Sequence, residues 1–344
     1  MEGNGAYNKA ATCQAGVTDA THALLTTAVQ RFAAAYPTKT RLCIADLGVS
    51  QGRNALGLHA HVLGTLDAAM AAPPEVLLLL EDQPSNDFAT LLATLNSPAS
   101  VVHARSHTYT GVIARSFYDR LVPQASVDMF LSYIALQWLA AVPTPLPQSM
   151  MHINDPSRQA MLSAADKATW QRAQHAHLVS FLRHRAVELV DYGMLSLTFV
   201  SHHGDETLYH ILVIARALED MVARGLLSQA SLDRLALCVY LRSTDEALAA
   251  FADVPELELC EYDQVPMQFP FQSGAGAASF FLSIMKPSFQ AAMTDDERND
   301  PYVLDCLASC LATRFTEHVV GSDEPYFRRV PLNYFYASFT RVPR

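Results

Sequence analysis

The hydrophobic residues in the first two hundred positions come in short continuous runs separated by longer mixed segments. The runs over 41–48 (RLCIADLG) and 75–82 (EVLLLLED) are apolar almost throughout, and an acidic residue lies near the end of each. Such runs are typical of parallel strands buried on both faces. Helical spacing of apolar residues follows over 54–70 and 86–95. This alternation predicts βαβ units and therefore an α/β fold with a parallel sheet.

The same pattern continues along the chain. We predict further strands over 101–107, 127–136, 193–201 and 235–241, and further helices over 158–190, 208–224, 231–235 and 245–252. The doubly wound core reaches Ser201, and the final third alternates less regularly. We therefore divide the chain into a core at 1–205 and a region at 206–344 that supplies helical cap elements and the remaining core strands.

Composition narrows the class of protein. A chain of 344 residues, half of them apolar, can bury a large core, and its net charge of -10 argues against a nucleic-acid partner. The six cysteines show no metal-binding spacing, and the N-terminus has no charged-then-apolar signal pattern. Charges or prolines interrupt every apolar stretch before the ~18 residues of a membrane span. We expect a cytoplasmic protein with reduced thiols and no membrane partner.

Candidate chemistry begins where the first predicted strand ends, in IADLGVSQGRN (44–54). Gly48 and Gly52 would let the backbone approach a ligand closely, and the start of the following helix can hold an anion. The spacing differs from the GxGxxG dinucleotide fingerprint, which weakens an NAD interpretation. A glycine turn after a core strand also occurs in many α/β folds without a ligand.

Three more positions add to this turn. Asp82 closes the second strand, where a carboxylate can accept hydrogen bonds from both hydroxyls of a ribose, with Gln83 beside it. A helix cap or turn is the alternative role for a single acid at that position. Further on, Phe117 can pack on an adenine ring while Ser116 bonds its edge, although Phe117 would equally suit a core.

Taken together, the segments resemble the SABATH family of S-adenosylmethionine (SAM) dependent carboxyl and N-methyltransferases. The matching segments, in family order, are a tyrosine followed seven residues later by a glutamine (Tyr7 and Gln14), IADLGVSQGRN, LLEDQPSNDF (79–88), RSFYDRLVP (115–123) and SYIALQWLAAVP (132–143). The resemblance covers roughly residues 7–262. It implies a Rossmann-like class I methyltransferase core with a mostly helical cap, and a homodimer.

The resemblance also implies roles for individual residues. Those expected to bind SAM are Tyr7, Asp46, Gly48, Val49, Asn54, Asp82, Gln83, Ser116, Phe117 and Tyr133. Gln14 and Trp138 would hold the carboxylate of the acceptor and act as the catalytic pair, and Gln137 would help to set specificity. Changes in the acceptor segment, such as Leu131 and Ile134, mean that no particular acceptor can be taken over from the family.

The resulting hypothesis is methyl transfer to the carboxylate of a small, apolar organic acid, which gives a methyl ester. A carboxylic acid has a pKa of about 4 and is already a nucleophile at neutral pH, so the site needs orientation rather than a base. Two alternatives remain open at this stage. One is N-methylation of a small heterocycle, and the other is a sensor or interaction protein that binds SAM without turnover.

Histidines cluster at several places, among them His59 and His61, three positions on the predicted long helix, and His202 with His203. None has a second group of ligands at metal-binding spacing, so we predict no metal site. Solvated or helix-capping histidines are the expected interpretation. The phenylalanines at 269, 271, 280 and 281 fit either a core or a lid over the acceptor.

Overall fold

The computed structural model describes residues 12–146, 162–202, 209–269 and 271–343, with side chains from residue 16 onward. In chain order its elements are α1 (Thr12–Ala35), β1 (Arg41–Leu47), α2 (Arg53–Ala69), β2 (Glu75–Asp82), α3 (Phe88–Leu95), α4 (Val101–Ala104), β3 (Thr108–Ala114), β4 (Val127–Tyr133), α5 (Ala164–Glu188), β5 (Leu189–Ser201), α6 (Tyr209–Ala223), α7 (Gln229–Arg234), α8 (Thr244–Ala252), β6 (Leu257–Gln268), α9 (Gly274–Ala292), α10 (Asp295–Asn299), α11 (Pro301–Thr316), a 3₁₀ turn (Tyr326–Arg328) and β7 (Pro331–Arg341).

The described strands form one seven-stranded sheet in the order β3-β2-β1-β4-β5-β7-β6. Strands β1 to β5 pair in parallel, whereas β7 runs antiparallel to both β5 and β6. The order reverses between β1 and β4, where the chain returns to the middle of the sheet. At such a reversal the loops diverge and leave a crevice at the carboxyl ends of the strands, which is where ligands bind in open α/β sheets.

Helices cover both faces of the sheet, as the apolar runs of β1 and β2 predict. One layer packs α1 and α2 on Ile44, Leu78 and Met129, and the other packs α5 and α8 on Ala45 and Phe130. A third apolar cluster joins α6, α9 and α11 into a helical cap. This cap lies on the N-terminal part of α1 and on β6 and β7, so it closes over one end of the crevice.

Two predicted strands are wrong. Residues 101–107 begin with α4, because the Ser100 hydroxyl accepts a hydrogen bond from the Val102 N–H at 3.2 Å and starts a helical turn. The strand is β3, which begins at Thr108. Residues 235–241 form only isolated bridges, since this segment bonds to the loop after β4, with Tyr240 N–H donating to the Gln137 carbonyl at 2.9 Å.

The predicted cap in the 206–344 region is present in α6, α9 and α11, and the remaining core strands in that region are β6 and β7. Because β7 inserts between β5 and β6, the sheet is completed by the last residues of the chain. The division at 205 and 206 itself stays a prediction. In the part of the chain that the structure describes, no helix combines the length and apolarity needed to cross a bilayer.

Candidate active site

The turn after β1 needs its glycines. Gly48 has a φ of 78°, and a Cβ there would lie 2.6 Å from the Cβ of Ala135, so any side chain would push the β1 and β4 loops apart. Gly52 has a φ of 87°, and its Cβ would lie 2.7 Å from a methyl group of Leu91. Ser50, between them, also has a positive φ, of 54°. The turn is therefore fixed in a conformation that exposes backbone to the crevice.

Asp82 holds this turn in place. One carboxylate oxygen accepts a hydrogen bond from the Ser50 N–H at 2.6 Å, and the other accepts from the Gln83 N–H at 2.7 Å. Burial raises the pKa of Asp82, and these two hydrogen bonds oppose the rise. Each oxygen keeps a further lone pair, so the carboxylate can support the turn and still accept hydrogen bonds from a ligand. Asn86 fixes the turn from its other side by donating to the Ser50 carbonyl at 2.7 Å.

A second acid, Asp46, lies beside the turn. Its partner is His59, a residue that the sequence did not predict to be part of the site. Asp46, at the end of β1, pairs with the Nε2 atom of His59 at 2.7 Å, and both side chains are almost fully buried. The expectation that this histidine is solvated or caps a helix is therefore wrong for His59. The helical spacing of the sequence does indicate that His59 is buried, because His59 shares one face of α2 with the buried Ala55, Leu63 and Leu66.

Glu81 is a third buried acid in this region. Its Oε2 accepts from the Gly48 N–H at 3.1 Å, while Oε1 is buried and has no hydrogen-bond partner among the described residues. Burial, with the nearby charge of Asp82 as the next cause, raises the pKa of Glu81 to about 9. The side chain is therefore neutral at pH 7, and it adds no negative charge beside Asp46 and Asp82.

The segment after β4 leaves the sheet abruptly. Ile134 has a φ of 58°, which is strained for a β-branched residue, and its N–H bonds to both the carbonyl and the hydroxyl of Thr198. The turn that follows directs Gln137 and Trp138 to the crevice. The amide of Gln137 donates to the Ile134 carbonyl at 2.9 Å, so this side chain braces the turn.

Trp138 is held through its backbone. Its carbonyl accepts from the Tyr118 hydroxyl at 2.7 Å, and its chain pairs with Val239 in an isolated bridge. The indole N–H donates to no group among the described residues, while the ring lines the crevice. A donor that is fixed in place and has no acceptor among the described residues is suited to a ligand.

These elements enclose one cavity of about 340 Å³. The predicted site residues that line it are Asp46, Gly48, Val49, Asn54, Asp82, Gln83, Phe117, Tyr133, Gln137 and Trp138. Ser116 is not in the lining, and its hydroxyl instead accepts from the Tyr118 N–H at 3.3 Å, which supports the loop that carries Phe117. Tyr7 lies outside the described residues. So does the side chain of Gln14, although its backbone belongs to α1.

The other end of the cavity is apolar and comes mainly from the cap. Phe280, Phe281, Ile284 and Met285 of α9 line it, together with residues of α6 and the 235–241 segment. Of the two interpretations of the phenylalanines, Phe280 and Phe281 thus form a wall of the cavity, whereas Phe269 is buried against Tyr334. The described lining contains no Lys or Arg, so no cation of the protein faces a bound ligand there.

The sheet order, the glycine turn and the acids at the ends of β1 and β2 define a class I methyltransferase, as the sequence predicted. More narrowly, the chain belongs to the family described as SAM dependent carboxyl methyltransferase, which matches residues 1–299. The predicted SABATH membership and the SAM cofactor are thereby confirmed.

Individual relatives agree with this assignment. An O-methyltransferase acrG of Aspergillus aculeatus is 30% identical over 64% of this chain, and the match covers 58% of that relative. A salicylate carboxymethyltransferase of Clarkia breweri is 29% identical over 61% of the chain and is covered to 60%. The chain therefore spans somewhat under two thirds of the length of these curated relatives.

The fold extends further than the sequence matches. The solved structure of loganic acid methyltransferase with SAH, the demethylated form of SAM, has a TM-score of 0.83 against this chain. Its sequence is 19% identical, and the comparison covers 100% of this chain and 98% of that one. The likeness confirms the architecture of the sheet and the cap.

Proposed function

We propose that this protein transfers the methyl group of SAM to the carboxylate of a small organic acid and releases a methyl ester. One observation carries the proposal: a single cavity joins an acidic end under the glycine turn to an apolar end under the indole of Trp138. Family membership supports the reaction type. The relative from Clarkia, which is named for salicylate, supports a small acid as the acceptor.

The acidic end fits the donor. SAM carries a sulfonium cation, a ribose and an adenine, and when bound it supplies the electrophilic methyl group. The backbone of Gly48 and Ser50 allows close approach, and Asp82 can accept hydrogen bonds from the ribose hydroxyls. Asp46 lines the cavity as a buried carboxylate and favours a cationic ligand. Phe117 offers a ring face for stacking.

The apolar end fits the acceptor. An ionised carboxylate needs no general base, and the Trp138 indole N–H can hold one of its oxygens. Gln14 is proposed as the second donor, as the family resemblance implies. Held in this way, the carboxylate would present a free lone pair to the methyl group that bound SAM would supply; the C–O bond would form as the C–S bond breaks, and no proton would need to move. Orientation and exclusion of water supply the acceleration, up to about 7–11 kcal/mol in well-placed systems.

The test replaces the indole without emptying its space. Trp138→Phe should lower kcat/KM for the acid by about 10- to 150-fold, the range for losing a hydrogen bond to a charged group, while SAM affinity in a calorimetric titration stays unchanged. Ester formation is measured by mass spectrometry with labelled SAM.

The chain offers a matched control for this experiment. Trp170 is the second of its two tryptophans and is fully buried, with its indole N–H bonded to the Thr144 carbonyl at 3.2 Å. Trp170→Phe removes the same N–H group outside the cavity. Undiminished esterification by Trp138→Phe would refute the proposed role, and methylated heterocycles in place of esters would favour N-methylation.

We also propose a cytoplasmic homodimer. The family resemblance supports the homodimer. The five cysteines whose side chains are described form no disulfide, which supports a reducing compartment such as the cytoplasm. Analytical ultracentrifugation of the full chain measures the oligomeric state, and a single species at the mass of one 344-residue chain would contradict it.

A further inference from the structure

A buried histidine in the acceptor end of the cavity has no role in the scheme above. His210 is the second residue of α6, lines the cavity and is 4% exposed. Its ring stacks on Phe281 of α9, with centroids 5.1 Å apart and an angle of 13° between the planes. The stacking fixes the ring in one orientation within an otherwise apolar wall.

One ring nitrogen of His210 has no hydrogen-bond partner among the described residues. Nδ1 is sealed from solvent and has no hydrogen-bond partner within the described ranges. Leaving a buried polar atom unpaired destabilises a protein, so such atoms normally bind a neighbour, a water or a ligand. Burial alone lowers the pKa of His210 to about 3, which keeps the imidazole neutral. A neutral imidazole has one N–H donor and one acceptor nitrogen.

The surroundings decide which ligand group suits this ring. Most side chains that α6 and α9 contribute to the cavity are apolar, including Ile211, Phe280, Phe281 and Ile284, and the lining there has few polar groups besides the hydroxyls of Ser288 and Tyr334. With no Lys or Arg in the described lining, a second carboxylate would be buried without a countercharge, which is costly. A single uncharged hydroxyl or carbonyl can instead exchange a hydrogen bond with the imidazole while the rest of the acceptor packs on the rings.

We propose that His210 is a specificity residue for the acceptor, and that the acceptor is a monocarboxylic acid with one uncharged hydroxyl or carbonyl group remote from its carboxylate. The inference rests on the proposed function and replaces a purely apolar acceptor with a bifunctional one. Trp138 would bind the carboxylate and His210 the remote polar group, so the two contacts would set the acceptor's orientation along the cavity.

The experiment compares acids in matched sets of three: benzoate, 4-hydroxybenzoate and terephthalate, and octanoate, 8-hydroxyoctanoate and octanedioate. In at least one set the wild-type enzyme should favour the hydroxy acid over the parent acid by about 3- to 12-fold in kcat/KM, the range of one neutral hydrogen bond. The diacid should be the poorest acceptor of that set.

In His210→Phe, which keeps the stacking but removes both nitrogens, the advantage of the hydroxy acid should disappear. His210→Leu serves as a second variant with the same expected loss, and SAM titration checks that each variant is folded. The matched control is His103→Phe, because His103 is exposed on α4 and does not line the cavity. This control should keep the advantage.

The outcomes separate the two proposals. If the wild-type enzyme makes esters without preferring the hydroxy acid in either set, or if the preference survives in both His210 variants, the inference about His210 is overturned and the proposed reaction stands. If the wild-type enzyme binds SAM and forms no ester from any acid of the two sets or from a wider acid panel, the proposed function fails.

Discussion

At the scale of residues, the site depends on side chains whose charge is decided by burial. Three acids lie around the glycine turn, yet Glu81 keeps its proton at neutral pH while Asp82 is held by two backbone N–H groups. The acidic side chains that line the cavity on the donor side are those of Asp46 and Asp82. A third buried carboxylate beside them would add repulsion and desolvation without a partner.

This proton on Glu81 gives a pH dependence of stability. The folded pKa of about 9 lies above the ordinary value of 4.5, so above pH 4.5 the unfolded chain ionises Glu81 while the folded chain does not. Its contribution to stability is full below pH 4.5 and is lost progressively as the pH rises to 9. Glu81→Gln cannot ionise and should gain stability relative to wild type over this window, by at most about 1.4 kcal/mol per pH unit.

Thermal unfolding of both proteins at pH 5, 6, 7 and 8 measures the effect. The difference in melting temperature should grow in favour of Glu81→Gln with each step. A difference that is the same at all four values would show that Glu81 ionises in the folded state as it does in the unfolded chain.

His59 and His210 show why the sequence did not predict every residue of the site. His59 and His210 both lie on helix faces that turn inward, a periodic signal that the sequence contains. What the sequence does not contain is the partner, because Asp46 lies 13 positions from His59 and Phe281 lies on a different helix from His210. The donor turn was predictable, since Gly48 and Asp82 act through short loops at strand ends.

At the scale of elements, the end of α5 organises the loop that carries Phe117. Arg185 is fully buried, pairs with Glu188 at 2.7 Å and donates to the carbonyls of Phe117 and Asp119. Glu188 in turn accepts from backbone N–H groups of the same loop, including that of Val122 at 3.1 Å. One ion pair thus stabilises a connection between β3 and β4 that contains no helix in the described structure.

We expect Arg185→Leu to destabilise the fold by about 3–5 kcal/mol, the range for leaving one member of a buried pair uncompensated. SAM affinity should fall as well, because Phe117 loses the anchor of its backbone. Urea denaturation and calorimetry measure the two effects. Arg172→Leu, an exposed position on the same helix, should stay within about 0.5 kcal/mol of wild type. Equal stabilities for the two variants would contradict this role of the ion pair.

Element prediction succeeded where burial is complete and failed at the edge of the sheet. The strands β1 and β2 are largely buried, with Leu77 the exposed apolar side chain of β2, and both give continuous apolar runs. By contrast, β3 is an edge strand with Tyr109 more than half exposed, so its apolar signal is weak and the prediction fell on the preceding helix. Residues 235–241 are apolar because most of them pack into buried clusters while Val239 and Leu241 line the cavity, and an apolar pattern alone does not distinguish such a segment from a strand of the sheet.

At the scale of the whole molecule, charge sets the order of binding. The protein carries a net charge of -10, and the charged side chains in the described lining of the cavity are acids. An anionic acceptor therefore meets an unfavourable potential until a sulfonium cation is in place. We expect the donor to bind first.

Acid binding in three states tests this order. With 8-hydroxyoctanoate or 4-hydroxybenzoate as the probe, calorimetric affinity should be highest with sinefungin, an unreactive SAM analogue that carries an ammonium group. It should be at least about five-fold weaker with SAH, whose thioether sulfur is uncharged, since one unit charge at 4 Å contributes roughly 1–4 kcal/mol in such surroundings, and weakest with no nucleotide. Equal affinities with sinefungin and SAH would exclude an electrostatic basis for the order.

The absence of lysine and arginine from the described lining also affects how the product leaves. Before the reaction the cavity would contain a sulfonium and a carboxylate, and afterwards a thioether and an ester, so the chemistry itself cancels the only attraction between the two guests. Because the described wall contains no lysine or arginine, no protein cation would hold the product, and the ester would keep only the neutral contacts with Trp138, His210 and the apolar rings. In the proposed reaction, bond formation itself would weaken product binding, so product release would need no separate conformational step.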